Sequence, residues 1–346
     1  MTFKRLGTRA DRSVMLQTIL RIAATALAVI VVFDTGASTS TPWQRPAAAP
    51  APADNHLTAA RAELGRALFF DPRLSAKGSL SCASCHNPAL GWSDGLPTAV
   101  GHNMKVLGRS TPTIVNAAFN PLQMWDGRKG SLEEQALGPF GADEQNLPLE
   151  ELERRVQSIA GYGPMFTEAY PGEPITRTTI AKAIASFERT VLSDGAPFDQ
   201  WIAGDPDALS PAARRGFDLF VGKANCSACH QGFNFTDNGF HNVGVRDHGA
   251  PDPGRFALKK VAAMQGAFKT PTLRDIALTA PYMHNGCYTT LEEVVEHYVR
   301  GGDVQDHLSP NIRPLDLSAR DQSDLVAFMR SLTSAPRVVS VPTLPR

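Results

Sequence analysis

The spacing of apolar residues predicts a chain built mainly from α-helices. In residues 56–70, Leu57, Ala60, Leu64 and Leu68 recur at helical spacing, and Asp71-Pro72 ends the pattern. Further helices are predicted over residues 147–159 and 178–192, from Ser210-Pro211, and from Ser318, where Asp321 completes a capping-box pattern. Strand-like alternation is rare. The predicted fold class is therefore mainly α.

Two stretches reading Cys-x-x-Cys-His, residues 82–86 and 226–230, give the chain its candidate chemistry. This spacing is typical of c-type haem attachment, in which each thiol adds to a porphyrin vinyl group and the next histidine binds the iron. The residues assigned in this way are Cys82, Cys85 and His86, and Cys226, Cys229 and His230. A zinc knuckle or a thioredoxin-like Cys-x-x-Cys is the alternative, but neither needs an adjacent histidine twice.

A short internal echo precedes the two motifs. Residues 65–69 read Gly-Arg-Ala-Leu-Phe and residues 216–220 read Gly-Phe-Asp-Leu-Phe. This echo predicts two related haem domains, in residues 55–200 and 201–334, with residues 41–54 as a Pro/Ala-rich linker and residues 335–346 as a tail.

The first 40 residues resemble an export signal. A basic start precedes an apolar run over residues 22–33, and small residues follow. The run is shorter than the roughly 20 residues that span a bilayer, which favours a cleaved signal. An uncleaved inner-membrane anchor remains open if the stretch from Val14 is included. Either reading places the haem region in the periplasm.

The composition gives no sign that the protein binds nucleic acid. Basic and acidic residues balance at 34 each, so no charge excess points to nucleic acid. Four of the five cysteines are assigned to haem, which leaves Cys287 and no disulfide framework. Cys287 is expected to be a buried, unreactive thiol.

At this point the chain resembles the bacterial di-haem cytochrome c peroxidases and their MauG-like relatives. Beyond the two haem motifs, the resemblance rests on five stretches over most of the chain: residues 91–95 (Gly-Trp-Ser-Asp-Gly), 111–116, 125–128 (Trp-Asp-Gly-Arg), 132–136 and 269–284. It implies two cytochrome c-type domains, each with one covalent haem c, and an active site near the domain interface. It also implies peroxide reduction at the first haem, while the second handles electrons.

For the first haem, the resemblance implies Gln135 and Glu144 as catalytic groups on the open face, with Asp143 as fallback because the local spacing is one residue short. A carboxyl or carboxamide there would move a proton between the peroxide oxygens. His102 matches a histidine that caps this iron in peroxidases needing reductive activation, although an unliganded loop histidine remains open. Trp125 resembles the tryptophan that lies between the haems and would relay an oxidising equivalent.

For the second haem, the sixth ligand defines the subgroup. Where ordinary peroxidases have a methionine, this chain has Tyr298, in line with the MauG-like members. The pattern agrees, because Leu291, Val294, Val295 and Tyr298 share one helical face, whereas His297 points elsewhere. A phenolate favours iron of higher charge, unlike a thioether.

The resemblance also implies a calcium ion held by an asparagine and two main-chain carbonyls. The carbonyls correspond to Thr279 and Pro281, whereas the asparagine position holds Ser110, a shorter and weaker oxygen ligand.

The function implied is a di-haem peroxidase that reduces hydrogen peroxide to water through high-valent iron shared between two haems, with electrons from a small periplasmic donor such as a cytochrome c or cupredoxin. Two alternatives remain: a MauG-type enzyme that oxidatively modifies a side chain of a partner protein, and a non-catalytic electron-transfer cytochrome.

Overall fold

The structure is a computed structural model, and it describes residues 1–2, 42–247, 249–335 and 338–346. The predicted signal or anchor falls almost wholly in residues 3–41 and lies outside the described residues. No helix of the described part combines the length and apolar character that a membrane span requires.

Ten α-helices make up most of the regular structure of the described residues. They are α1 (Ala59–Phe70), α2 (Cys82–Cys85), α3 (Leu132–Ala136), α4 (Leu149–Ser158), α5 (Tyr162–Ala169), α6 (Arg177–Glu188), α7 (Pro197–Ile202), α8 (Pro211–Val221), α9 (Leu291–Arg300) and α10 (Ala319–Arg330). Two short antiparallel strands, β1 (Phe240–His241) and β2 (Phe268–Lys269), pair Phe240 with Lys269. The mainly α prediction is confirmed.

The long helices begin where their capping residues stand. Ser210 accepts a hydrogen bond from the backbone N–H of Ala213 at the start of α8. Ser318 and Asp321 form the predicted capping box of α10. The short helices α2, α3, α5 and α7 were not predicted, because four to eight residues hold too few turns for an apolar period to emerge.

The described residues form two hydrophobic cores, the first mainly from residues 64–191 and the second mainly from residues 198–332. In the first, α1 crosses α6 closely at Gly65, where a Cβ atom would lie 1.9 Å from the carbonyl oxygen of Ala183. In the second, α8 crosses α10 in the same way, and a Cβ on Gly216 would lie 1.9 Å from the carbonyl oxygen of Asp324. The glycines of the sequence echo therefore occupy equivalent helix crossings, where no larger side chain fits.

The described parts of the predicted linker and tail are packed against the cores. Trp43 contacts Phe235 of the second core, with ring centroids 5.2 Å apart. At the other end of the chain, Val339 packs on the first core, and the carbonyl of Arg346 accepts a 2.7 Å hydrogen bond from Gly161. These contacts hold the described parts of both segments against a core, so neither is loose in the structure. The assignment of residues 41–54 as a linker and of residues 335–346 as a tail stays a prediction. The proposed domain limits stay a prediction.

Candidate haem sites and the region between them

The first Cys-x-x-Cys-His motif is held as one turn of helix. Cys82 and Cys85 bound α2, and the backbone N–H of His86 donates a 2.8 Å hydrogen bond to the carbonyl of Cys82. The Nδ1 atom of His86 lies 3.1 Å from the carbonyl oxygen of Trp92. Because that oxygen can only accept, Nδ1 carries the proton and the lone pair of Nε2 is free for a metal.

The second motif repeats this geometry. The N–H of His230 donates a 2.9 Å hydrogen bond to the carbonyl of Cys226, and Nδ1 of His230 lies 2.8 Å from the carbonyl oxygen of Phe235. Burial lowers the pKa of both His86 and His230, so each imidazole is neutral, as an iron ligand must be.

The residues present fit covalent haem. Beside the second motif lies a cavity of about 700 Å³, the size of a cofactor pocket. Its walls are mostly apolar and include Phe220, Leu325 and Met329, together with Cys226, Cys229 and His230. At the first motif, the ring of His86 lies 6.3 Å from that of Phe69, and Cys82 packs on the first core. Each motif therefore presents two thiols and a free Nε2 beside an apolar wall.

The loop carrying His102 is bound to the loop carrying Glu144. The backbone N–H of His102 contacts the carbonyls of Asp143 and Glu144, at 2.8 and 3.0 Å. Glu144 is partly buried, and its negative charge contributes to the raised pKa of Cys85 after burial and Asp94. The fallback Asp143 is instead exposed and forms a 2.6 Å ion pair with Lys105. The structure thus places Glu144 near the first haem motif and its neighbour in solvent.

Gln135 lies in α3, whose N-terminus is capped by the Ser131 hydroxyl. Gln135 is partly buried. A second glutamine, Gln145, was not anticipated from the sequence. Its Nε2 lies 3.7 Å from the sulfur of Cys82, and its buried Oε1 has no hydrogen-bond partner among the described residues. No sequence signal marks Gln145, since polar loop residues are ordinarily solvated.

An acidic residue at the end of α6 was also not anticipated. Glu188 is buried, and its Oε2 lacks a hydrogen-bond partner among the described residues. Burial raises the pKa of Glu188 to about 8, although the positive charge of Arg189 opposes the shift. Burial raises the pKa of the Cys82 thiol, and Glu188, when it is ionised, raises it further. A carboxyl that holds its proton at neutral pH therefore lies close to the first haem motif.

Trp125 bridges the two halves of the described chain. Its indole Nε1 donates a 2.9 Å hydrogen bond to the carbonyl of Ser110, and its own carbonyl accepts a 2.7 Å hydrogen bond from Lys269. The ring of Trp125 lies edge-on to Phe268 at 6.5 Å and lines the cavity of the second motif. The indole is thus held from both sides, at the wall of one candidate haem pocket.

An ion-pair cluster reinforces this junction. Arg109 binds Asp126 and Asp252, each at 2.7 Å, and its guanidinium lies 5.3 Å from the ring centroid of Phe268. Burial alone would raise the pKa values of both carboxylates, but the hydrogen bonds and the positive charge of Arg109 lower both pKa values below their usual range. Arg128 adds to this effect at Asp126. Because Asp126 follows Trp125 directly, Arg109 also fixes the backbone that carries the indole.

Tyr298 and His230 line the same cavity. Burial raises the pKa of the Tyr298 phenol, and the neighbouring Cys226 and Cys229 add to the shift. The phenol therefore lies close to the second motif. Thr290 and Glu293 form the capping box at the start of α9. Val295 of this helix lines the cavity. As the pattern predicts, His297 points elsewhere, toward the carbonyl of Val243 at 2.8 Å.

The residues matched to a calcium site also line this cavity: Ser110, Thr279 and Pro281. The carbonyl of Ser110 is occupied by the Trp125 indole, which leaves its hydroxyl as the ligand on offer. A set of oxygen donors suits a hard cation such as Ca²⁺. Because Ser110 is uncharged, it would add little to the affinity for the ion.

Several known proteins are similar to this chain. A family model for di-haem cytochrome c peroxidases matches residues 59–207. The methylamine utilization protein MauG of Methylorubrum extorquens is 46% identical over 88% of this chain and 86% of its own length. The cytochrome c551 peroxidase of Nitrosomonas europaea is 36% identical over 82% of this chain and 83% of its own. A crystal structure of a MauG-like protein associated with microbial copper homeostasis has a TM-score of 0.78 at 34% identity, over 84% of this chain and 95% of that one.

Proposed function

This chain belongs to the di-haem cytochrome c peroxidase family, as an oxidoreductase with two covalent haems, and we propose that it reduces hydrogen peroxide without prior reductive activation. His86 would hold the haem that reacts with peroxide, and His230 would hold the haem that receives electrons. The observation that carries the proposal is the position of Tyr298, which shares the cavity of His230. When bound, the haem irons supply the redox chemistry that cleaves peroxide.

The residues of the chain then prepare each site. The Nε2 atoms of His86 and His230 would each bind a haem iron. Tyr298 would supply the second iron with an anionic oxygen ligand, which would disfavour the reduced form of that iron. Glu144 and Gln135 face bound peroxide, and Glu144 moves a proton from the near oxygen to the leaving one. The partial burial of Glu144 and its charge interaction with Cys85 support this role.

Trp125 relays oxidising equivalents between the irons. Its support is the indole position at the junction, with a fixed hydrogen bond to Ser110. The hydroxyl of Ser110 and the carbonyls of Thr279 and Pro281, which line one cavity, would hold a calcium ion. His102 would remain free in the oxidised protein, as a peroxidase that needs no reductive activation requires.

The electron donor is a small periplasmic protein such as a cytochrome c or a cupredoxin, and residues 1–40 direct export. A second function, oxidation of a side chain on a partner protein, is favoured by the 46% identity to a methylamine utilization protein MauG. Nothing else on the chain identifies such a partner, so peroxide reduction is the leading proposal.

Stopped-flow mixing of oxidised holoprotein with hydrogen peroxide tests both functions. We expect an immediate change in the haem spectrum, followed by oxidation of added reduced cytochrome c. A change only after one-electron reduction would contradict the proposal about Tyr298. A rapid change with no donor oxidised would favour a protein substrate, and two inert six-coordinate haems would favour a simple electron-transfer cytochrome.

A further inference from the structure

Next to Tyr298 on α9 lies a histidine that the proposed chemistry does not use. His297 has no exposed surface, and the two side chains point about 100° apart around the helix. Its Nε2 lies 2.8 Å from the carbonyl oxygen of Val243, and its Nδ1 lies 2.9 Å from the hydroxyl of Tyr288. Both ring nitrogens are therefore fixed by groups outside α9.

The hydroxyl of Tyr288 extends the contact to a third segment. Its oxygen also lies 2.5 Å from a carboxylate oxygen of Asp303, which binds Arg300 at 3.0 Å. The loop of Val243 joins the same unit, because the carbonyl of Gly244 accepts hydrogen bonds from Asp303 and Val304. The segments before and after α9, and the loop after β1, thus converge on one imidazole.

The apolar side chains of α9 do not fix the rotation of the helix about its own axis in this way. Leu291, Val294 and Val295 line the cavity and pack on the second core, and apolar contacts tolerate small rotations of a helix. With its side chains an α-helix is about 10–12 Å across, so a rotation of about 10° would move an atom at its edge by about 1 Å. A metal–ligand distance tolerates only about 0.2 Å. The hydrogen bonds of His297 are directional, and they set the rotation that the apolar face leaves free.

We propose that His297 is the positioning residue for Tyr298: by binding Val243 and Tyr288 it fixes the rotation of α9 and aims the phenol at the second haem iron. This inference rests on the proposed ligation by Tyr298. His297 does not touch the iron and acts only through the orientation of the helix.

The test compares the ferric holoprotein with His297→Leu, His297→Gln and Tyr288→Phe by electronic absorption, EPR and redox titration. In the wild type we expect a tyrosinate-ligated second haem of low potential. We expect His297→Leu to lose that signature in most molecules and to raise the potential of the second haem. Tyr288→Phe, which removes one contact, should lose part of it, and His297→Gln, which keeps a donor and an acceptor, should restore part of it. His56→Leu, at an exposed histidine, is the matched control.

The outcomes separate the two proposals. A wild type without a tyrosinate signature overturns the ligation itself. A wild type with the signature, but a His297→Leu variant with the same spectrum and potential, overturns the positioning role alone. If His297→Leu does not fold with haem, Tyr288→Phe decides, since it keeps the ring and removes only the hydroxyl: an unchanged spectrum and potential would overturn the inference.

Discussion

The indole of Trp125 donates its N–H to the backbone carbonyl of Ser110 at 2.9 Å. A carbonyl oxygen of the backbone accepts a hydrogen bond but is far too weak a base to take the proton at neutral pH. An indole that loses an electron here would keep its proton and return to its starting state when an electron arrives. This geometry suits a relay that is used repeatedly.

Replacement of Trp125 by phenylalanine should interrupt this relay. The smaller ring keeps the packing against Phe268 but is much harder to oxidise and has no N–H. We expect peroxide-driven oxidation of reduced cytochrome c to slow by at least about tenfold, equivalent to about 1.4 kcal/mol in the barrier. Steady-state and stopped-flow kinetics on the holoprotein would measure the change.

Trp201→Phe is the control for the loss of an indole, because Trp201 packs in the aromatic cluster of the second core. It should leave the rate within twofold of the wild type, or about 0.4 kcal/mol. Equal slowing in both variants would argue that Trp125 matters only for packing.

Replacement of Tyr298 by methionine should change the second haem from an oxygen-ligated to a sulfur-ligated site. A neutral thioether favours reduced iron, so we expect the potential of this haem to rise by about 100 mV or more, within the roughly 0.8 V that axial ligands span. The variant should also react with peroxide only after partial reduction. A spectroelectrochemical titration measures the first effect.

Tyr282→Phe gives the comparison for the tyrosine replacement. Tyr282 is buried and lines the same cavity. Its loss should leave the potential unchanged. An unchanged potential in Tyr298→Met as well would count against ligation by Tyr298.

Glu144→Gln should slow the reaction with peroxide by about 10²- to 10⁴-fold, the usual contribution of a general acid–base group. Asp143→Asn should have little effect, because Asp143 is exposed and paired with Lys105. The second-order rate constant for peroxide, measured on the diferric protein, compares the two variants directly. The reverse order of effects would return the role to Asp143.

Glu188→Gln should stabilise the protein at high pH. The carboxyl ionises in the unfolded chain above about 4.5 but stays protonated in the folded state up to about 8, because burial raises its pKa. The wild type therefore loses stability as pH rises through this window, at about 1.4 kcal/mol per pKa unit, and the amide avoids the loss. Urea unfolding of both holoproteins at pH 5 and pH 8 would show a gap of a few kcal/mol that opens only at pH 8.

The exposed Glu173 provides a variant with the same chemical change, Glu173→Gln. It should follow the wild type at both pH values. A gap between wild type and Glu188→Gln that is the same at pH 5 and pH 8 would mean that packing, not ionisation, separates them.

The sequence predicted those parts of the molecule that a local pattern specifies. The capping box of Ser318 and Asp321 fixes where α10 begins, and it was readable because four residues suffice to form it. The different directions of Tyr298 and His297 were predicted for a similar reason, since helical geometry alone separates neighbours by about 100°. The echoed glycines, Gly65 and Gly216, were visible as a repeat, but their role in helix crossing was not.

Long-range placement was less accessible. Gln145 and Glu188 approach Cys82 from distant parts of the chain, and only the packed fold brings them together. Asp143 and Glu144 are neighbours of similar chemistry, so the pattern left both open. The ion pair of Asp143 with Lys105 depends on how two loops meet, so the sequence could not predict it. The choice of Glu144 as the catalytic group stays a prediction.

Each end of the described chain is fastened to the more distant half. Trp43 sits among the aromatic rings of the second core, and the segment ending at Arg346 lies along the first. If the protein were cut between its cores, each core would lose the terminal segment that packs against it, and each fragment would carry a terminal segment without its binding surface. Neither fragment should therefore fold as an independent single-haem protein.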